Sequence, residues 1–338
     1  MAVVKAEAYG HGLVRGSQEF AALGADWLGV SFLEEGVSLR EAGLNLPILV
    51  MGGLVDEQIG RYLDYRLDIT VSSVWKAKQV EEVAASRRTR AAIHLKFDTG
   101  MGRVGQQWTS AEALLKEVTK LRHLELRGIY THFASAENQD LTFARTQLDR
   151  FQQVLESAAR LGMEVPLIHA ANSGAMMQLG EAARFTLVRP GLMLYGNAPS
   201  RHLEGKFNLH PAMTLRSSVV YIKKPPAETA VGYGSTWHSP GDRWIATIPI
   251  GYGDGYPRSA GNRAWVKLRG RKCPVVGMVS MDQITVDAGP EGYLGDEAIL
   301  FGGRGENALP LWDLCETLDA IPYELICGLT ARVPRIYL

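Results

Sequence analysis

The 338-residue sequence lacks several features that would assign it to a class of protein. Its three cysteines, Cys273, Cys315 and Cys327, lie apart and include no CxxC pair, which argues against a disulfide framework and a zinc site. The formal net charge is zero, which argues against nucleic acid or an anionic membrane surface as partner. No apolar run reaches the roughly 18 residues that span a bilayer, and no signal peptide is evident. We therefore expect no metal, no nucleic-acid or membrane partner, and a reducing, cytoplasmic compartment.

Short apolar runs rich in β-formers alternate with helical patterns through residues 1–200. The predicted strands are VVK, WLGVSF, PILVMGG, ITVSS, AIHLKFD, LRGIYTHF, LIHAAN and FTLVRPG. The segments LEEGVSLREAG, SVWKAKQVEEVAASRR, SAEALLKEVTKL and LTFARTQLDRFQQVLESAARLG carry apolar residues every three or four positions, as amphipathic helices do. This α/β alternation predicts a (β/α)8 TIM-type barrel. Helical patterns cease after about Asn197, so residues 201–338 are predicted to form a mostly-β C-terminal domain.

The opening stretch AVVKAEAYGHG places Lys5 at the end of an apolar strand and before a glycine-flanked turn. Side chains alternate along a strand, so Val3 and Lys5 are expected to point the same way. An amine at the mouth of an apolar pocket loses hydration, and its lowered pKa makes it a nucleophile toward an aldehyde such as pyridoxal phosphate. Lys5 is therefore a candidate Schiff-base lysine.

Other polar residues also fall at predicted strand ends, where a barrel of this type carries its chemistry. The turns around Ser173 and Gly191 resemble the phosphate cradle common in this fold. The convergence with Lys5 predicts an active site at this end of the barrel. The residues concerned are Lys96, Asp98, His132, Asn172, Ser173, Arg189 and Gly191.

Nine motifs, in order and over essentially the whole chain, resemble the alanine racemase family. They are AVVKAEAYGHG, KFDTGMGRVG, THFASA, HAANSGA, VRPGLMLYG, VGYGSTW, IGYGDGY, VSMDQ and ARVPRIY. The resemblance implies a pyridoxal-phosphate-dependent isomerase that interconverts L- and D-alanine by a two-base mechanism and supplies D-alanine for peptidoglycan. It also implies a homodimer in which each active site is shared between two subunits.

The resemblance assigns roles to individual residues. Lys5 would be the Schiff-base lysine and one catalytic base, and Tyr233 would be the other base. The cofactor contacts would be Val3, Tyr9, Leu49, Met51, His132, Asn172, Ser173, Arg189 at the pyridine nitrogen, and the backbone at Gly191 and Leu192. Arg103 and the Met281 backbone would receive the substrate carboxylate, Tyr252 would line the entry route, and Asp282 would support the site. Lys96 would be carbamylated, as the matching lysine is in several relatives, or would be a plain amine paired with Asp98 or a bound chloride. Tyr233, Tyr252, Met281 and Asp282 would reach the cofactor from the partner chain.

The chain also departs from the family pattern in two places. Only four residues precede Lys5, where relatives usually carry a helix and a strand, so we expect lower stability. Ala331 stands where well-known members have a tyrosine that hydrogen-bonds the cofactor phosphate. We therefore expect some serine racemisation beside the preferred alanine.

Three alternative functions were weighed against these residues. A broad-specificity or serine racemase would use the same scaffold and chemistry. An amino-acid decarboxylase of similar architecture places an acidic residue at the pyridine nitrogen, where this chain offers Arg189. A pyridoxal-phosphate carrier without activity would resemble the barrel alone, and the β domain with Tyr233 argues against it.

Overall fold

A computed structural model describes residues 1–338 and divides them into two compact units. The barrel unit comprises Met1–Leu194 and Ala198–Leu209, and the β unit comprises Tyr195–Asn197 and His210–Leu338. The domain boundary expected between residues 200 and 201 stays a prediction. None of the helices has both the length and the apolar character that a membrane crossing demands.

The barrel unit is built on a parallel sheet whose strands neighbour one another in chain order. Its strands are β1 (Ala2–Val3), β2 (Leu28–Val30), β3 (Ile48–Val50), β4 (Asp68–Val71), β5 (Ala91–Asp98), β7 (Leu124–Tyr130) and β8 (Leu167–His169), and β6 (Gln106–Gln107) pairs with β5 outside this path. Most of these residues are buried and apolar, as expected of parallel strands covered on both faces.

The eighth predicted strand, FTLVRPG, is not a regular strand. It forms one parallel bridge, between Leu187 and His169. On its other side the Val3 amide donates to the Pro190 carbonyl at 3.1 Å, so the segment lies between β8 and β1 and closes the curled sheet. Pro190 has no amide hydrogen to donate to a neighbouring strand, which accounts for the absence of a regular strand in this segment. The barrel class is confirmed, with seven strands and one irregular closing segment.

Helices follow the strands. They are α2 (Leu13–Ala22), α3 (Leu33–Glu41), α4 (Ile59–Asp64), α5 (Val74–Ser86), α6 (Ala111–Val118), α7 (Thr142–Arg160), α8 (Ser173–Gln178) and α9 (Glu181–Arg184). In α7 the buried Ala144, Phe151, Val154 and Ala158 recur at helical spacing and form the buried face of the helix. The four predicted helices are confirmed as α3, α5, α6 and α7.

The segment that carries Lys5 differs from the predicted strand. The strand β1 ends at Val3, and α1 (Lys5–Tyr9) is a left-handed turn in which Ala6, Glu7 and Ala8 have φ between 51° and 55°. Such backbone costs about 1–2 kcal/mol per residue, so neighbouring groups must hold it. The Glu35 carboxylate accepts the Ala6 amide hydrogen at 2.6 Å and supplies part of that support.

The β unit contains three antiparallel sheets. The strands are β9 (Leu215–Ser218), β10 (Tyr221–Lys223), β11 (Ala230–Val231), β12 (Trp237–His238), β13 (Trp244–Ile248), β14 (Trp265–Leu268), β15 (Arg271–Pro274), β16 (Ile284–Gly289) and β17 (Glu297–Phe301). The strand orders in the three sheets are β10-β13-β16, β15-β14-β17-β9 and β11-β12.

The expectation that helical patterns cease after Asn197 was wrong. Two helices, α10 (Leu311–Leu318) and α11 (Pro322–Cys327), end the β unit. In α10 the segment LWDLCETL has a short amphipathic pattern of period 3.6, and its buried residues are Leu311, Leu314, Cys315 and Leu318. The proline that opens α11 occupies the first helical position, where its missing amide costs nothing.

Candidate active site

Positively charged side chains gather at the carboxyl ends of the barrel strands. Lys96, near the end of β5, is only 7% exposed. Removal from water, followed by the positive charges of Arg103, Arg189 and Lys5, lowers its pKa to about 8, against a smaller opposing effect of the Asp98 carboxylate. Desolvation and the same cluster hold the pKa of His132 well below its ordinary value. These charges therefore share one electrostatic environment, formed by Lys5, Lys96, Arg103, His132 and Arg189.

The Arg189 guanidinium is buried and held without a carboxylate partner. Its Nη1 donates to Nδ1 of His169 at 2.7 Å, and its Nη2 donates to the carbonyls of Thr131 at 2.7 Å and Ala170 at 3.0 Å. The Tyr130 ring lies 5.2 Å from the guanidinium carbon. Burial lowers the pKa of Arg189 to about 10, so the group stays charged at neutral pH and acts only as a donor.

Two turns form a tight polar cradle beside this cluster. The Ser173 hydroxyl oxygen accepts the amide hydrogens of Gly191 at 3.0 Å and Met193 at 3.4 Å. A Cβ on Gly191 would lie 2.3 Å from the Tyr9 hydroxyl oxygen, so the tyrosine packs directly on this glycine. Asn172 accepts the Ala175 amide hydrogen at 2.9 Å and caps α8, which leaves its side-chain NH2 group as the donor. The hydroxyls of Tyr9 and Ser173 can both donate to an anion in this cradle.

Apolar side chains expected to contact a cofactor ring lie inside the barrel. Val3 and Leu49 are buried, and Met51 is half-buried. Leu192, whose backbone is expected at the phosphate, is also buried. Leu49 and Met51 belong to a core cluster that includes Tyr130. The interior beside the cation cluster can therefore pack against a planar ring.

Asp98 organises the turn that carries Arg103. Its carboxylate accepts the amide hydrogens of Gly100 at 2.9 Å and Gly102 at 3.1 and 3.0 Å. Lys96, two residues earlier, lies 5.4 Å from the centre of the Tyr130 ring. The Asp98 carboxylate is thus committed to the turn, and Arg103 is exposed at its end.

The remaining predicted site residues lie on the β unit, on loops that contact one another. The Tyr252 amide donates to the Ser280 carbonyl at 3.0 Å, and the Gly253 amide donates to the Met281 carbonyl at 2.9 Å. A Cβ on Gly277 would lie 2.7 Å from the Val231 carbonyl, which brings the loop of Tyr233 against the same segment. The side chains are exposed, Tyr233 by 73%, Tyr252 by 44% and Met281 by 52%. They form an exposed cluster on the β unit.

Two further residues, Arg332 and His169, hold predicted site residues in place but were not singled out from the sequence. Arg332 donates from Nε to Asp254 at 2.6 Å and from Nη2 to Asp282 at 2.7 Å, and so ties two of these loops together. His169 receives the Arg189 hydrogen bond described above. Both residues lie inside motifs that were recognised, RVPR and HAANSGA, but their chemistry depends on partners distant in sequence.

Comparison with known proteins gives a consistent result over the whole chain. The family described as "Alanine racemase, N-terminal domain" matches residues 1–199, and "Alanine racemase, C-terminal domain" matches residues 212–337. The alanine racemase of Halothermothrix orenii is 40% identical over 100% of this chain and 89% of its own length. That of Carboxydothermus hydrogenoformans is 42% identical over 100% and 92%. The solved alanine racemase from Streptomyces coelicolor superposes with a TM-score of 0.95 at 34% identity, covering 100% of this chain and 91% of that one.

Proposed function

Because the chain belongs to the alanine racemase family, we propose that it is a pyridoxal-phosphate-dependent isomerase that interconverts L- and D-alanine. The observation that carries the proposal is the cation cluster of the barrel unit, in which Lys5, Lys96, Arg103 and Arg189 act on one another with Asp98 as the nearby carboxylate. Such an excess of positive charge is costly unless anions bind there. The phosphate of the cofactor and the carboxylate of the substrate are the two anions that this reaction would place in the cation cluster.

The residues of the site fit pyridoxal phosphate. The hydroxyls of Tyr9 and Ser173, with the Asn172 amide, would hold the phosphate, and Arg189 would face the pyridine nitrogen. Val3, Leu49, Met51 and His132 would surround the ring, and Gly191 and Leu192 would complete the phosphate turn. When bound, the cofactor supplies an electron-withdrawing ring that makes the substrate Cα proton acidic.

Racemisation requires that a proton leave one face of the substrate Cα and return to the other face. We propose that the Lys5 amine and the Tyr233 hydroxyl hold and move these protons. Arg189, a permanent donor, would leave the ring nitrogen unprotonated and so restrain charge delocalisation. Arg103 and the Met281 backbone would orient the substrate carboxylate, while Tyr252 would line the entry route and Asp282 would support it.

The proposed active assembly is a two-fold homodimer with shared sites. Support comes from the β unit, where Tyr233, Tyr252 and Met281 are all exposed on adjoining loops. In a dimer of this kind, the exposed cluster of one subunit would complete the site of the other.

The decisive assay for the reaction follows L-alanine, L-serine and L-lysine side by side, with chiral analysis of the products and measurement of carbon dioxide release. We expect racemisation with alanine preferred and no carbon dioxide. Lys5→Ala is the control and should lose nearly all activity. Carbon dioxide release without racemisation, or racemisation by protein verified to be free of pyridoxal phosphate, would overturn the proposal.

Subunit mixing tests the shared site. Lys5→Ala and Tyr233→Phe homodimers should each be inactive, and their mixture after subunit exchange should regain part of the activity because one site per hybrid is intact. Borohydride reduction of the wild-type holoenzyme, followed by peptide mapping, should place the cofactor on Lys5. No recovery after verified exchange would exclude sharing, and an adduct on another lysine would exclude Lys5.

A further inference from the structure

A buried line of side chains runs behind Arg189 to the opposite end of the barrel. His169 ends β8, His94 lies inside β5, and Asp68 opens β4 at the amino end of the strands. His94 and His169 are completely buried and Asp68 is 1% exposed. Buried polar groups of this kind are costly, and the large majority of them in folded proteins are hydrogen-bonded.

Short distances between polar atoms connect these side chains into one continuous series. Arg189 Nη1 lies 2.7 Å from His169 Nδ1, and His169 Nε2 lies 3.0 Å from His94 Nδ1. His94 Nε2 lies 3.3 Å from the Asp68 carboxylate. Arg127 donates to the same carboxylate at 3.1 Å, which favours its ionised form.

The groups at the two ends of this series, the Arg189 guanidinium and the Asp68 carboxylate, determine which nitrogen of each histidine carries the proton. A guanidinium can only donate, so His169 must accept at Nδ1 and carry its proton on Nε2. That Nε2–H donates to His94 Nδ1, which places the His94 proton on Nε2, toward Asp68. An ionised carboxylate can only accept, so this order of donors and acceptors has no conflict. The last contact, from His94 Nε2 to Asp68 at 3.3 Å, is within ion-pair distance but does not have hydrogen-bond geometry.

Packing holds the two imidazoles in place. The Tyr130 ring stacks on His169 with centroids 4.7 Å apart and an interplanar angle of 6°. Trp27 meets His94 edge-on at 5.3 Å. Desolvation lowers the pKa of both histidines, which keeps both rings neutral near pH 7, as the proton order requires.

We propose that His94, His169 and Asp68 form a proton-ordered relay that fixes the Arg189 guanidinium as a donor toward the cofactor's ring nitrogen. This inference rests on the proposed function for the identity of the cofactor, but the relay itself belongs to the barrel unit alone. His94, His169 and Asp68 are thus positioning residues, because they act through Arg189 and do not touch substrate.

Two substitutions at His94 distinguish a role in positioning Arg189 from a role in packing the core alone. His94→Leu removes both links of the relay, whereas His94→Gln keeps an acceptor and a donor. We expect His94→Leu to weaken pyridoxal phosphate binding and lower kcat several-fold more than it raises KM, and His94→Gln to restore much of the loss. His123→Leu is the matched control, because His123 pairs with the Glu81 carboxylate at 2.8 Å outside the relay.

Nitrogen-15 NMR of the apoenzyme supplies a readout independent of activity. Both His94 and His169 should be neutral Nε2–H tautomers in the wild type, and the His169 resonances should shift in His94→Leu. An Nδ1–H tautomer of His169 in the wild type would overturn the relay. So would a folded His94→Leu protein with wild-type cofactor affinity and kcat. Because the tautomers are measured without substrate, a failure of the racemase proposal would be seen separately, as absent racemisation with the relay intact.

Discussion

The Tyr9 hydroxyl packs against the α-carbon of Gly191 so closely that a methyl group there would lie 2.3 Å from the hydroxyl oxygen. We predict that Gly191→Ala displaces Tyr9 and weakens pyridoxal phosphate binding. Overpacking of this kind costs about 1–3 kcal/mol, which corresponds to a loss of affinity of up to about a hundredfold. Titration of the apoenzyme followed by cofactor absorbance measures the change.

The control for this substitution is Gly53→Ala, because no atom lies within 4 Å of a Cβ at that glycine. Gly53→Ala should bind the cofactor as the wild type does. Equal affinities for the two variants, with both proteins folded, would show that Tyr9 does not depend on Gly191 for its position.

Arg332 ties the loop of Tyr252 to the loop of Met281, through Asp254 at 2.6 Å and Asp282 at 2.7 Å. We predict that Arg332→Met raises KM for alanine several-fold with a smaller change in kcat, since the loops then present the Met281 backbone less accurately. Arg332→Lys should lie between, because an ammonium keeps the charge but loses the forked geometry. Arg216→Met, at an exposed pair with Glu297, is the matched control. Unchanged KM in Arg332→Met would exclude this positioning role.

The sequence allowed the barrel, the β domain and the cation cluster to be predicted because each depends on local patterns. The period of α7 and the apolar strand runs are local signals, and strand ends meet at one edge of a parallel sheet. Lys96 and Arg189 could thus be placed near one another from their positions toward the carboxyl ends of β-rich runs.

The remaining features depend on contacts between residues distant in sequence. His94 looks like a single polar residue within an apolar strand, and its role depends on His169 and Asp68, which lie 75 and 26 positions away in the sequence. The left-handed turn after Lys5 could not be predicted because its residues, Ala6 to Ala8, include no glycine. The Glu35 carboxylate that accepts the Ala6 amide hydrogen lies on another helix. The prediction of a regular eighth strand was wrong for a local reason that the sequence itself shows, the proline near the end of the segment.

Ala331 is exposed beside Arg332 on the β unit, where a larger side chain meets little resistance. We predict that Ala331→Tyr tightens pyridoxal phosphate binding, because a phenol can add a hydrogen bond worth about 1.5–3 kcal/mol to a charged acceptor. The same change should raise the alanine-to-serine ratio of kcat/KM. Ala331→Phe is the control, since it has the ring without the hydroxyl. A flat or lower ratio in a folded Ala331→Tyr enzyme would mark the position as neutral.

Lys96 is buried among cations, and its pKa of about 8 leaves part of the amine unprotonated near neutral pH. We predict that this amine adds carbon dioxide, forming a nitrogen–carbon bond and releasing a proton, and that the resulting carbamate binds Arg103 through charge-assisted hydrogen bonds. Because only the neutral amine reacts, the modification should increase as the pH rises through about 8 and disappear at lower pH.

Carbon-13 bicarbonate provides the measurement for Lys96. The wild-type enzyme should show a carbamate resonance that Lys96→Met lacks, and activity lost on careful removal of carbon dioxide should return with bicarbonate. Lys116→Met, at an exposed lysine paired with Glu112, controls for labelling of surface amines. An enzyme with full activity in carbon-dioxide-free buffer and no resonance above pH 8 would leave Lys96 as a plain buried amine. In that case its unpaired charge would destabilise the apoenzyme, and Lys96→Met would raise the free energy of unfolding at pH 7.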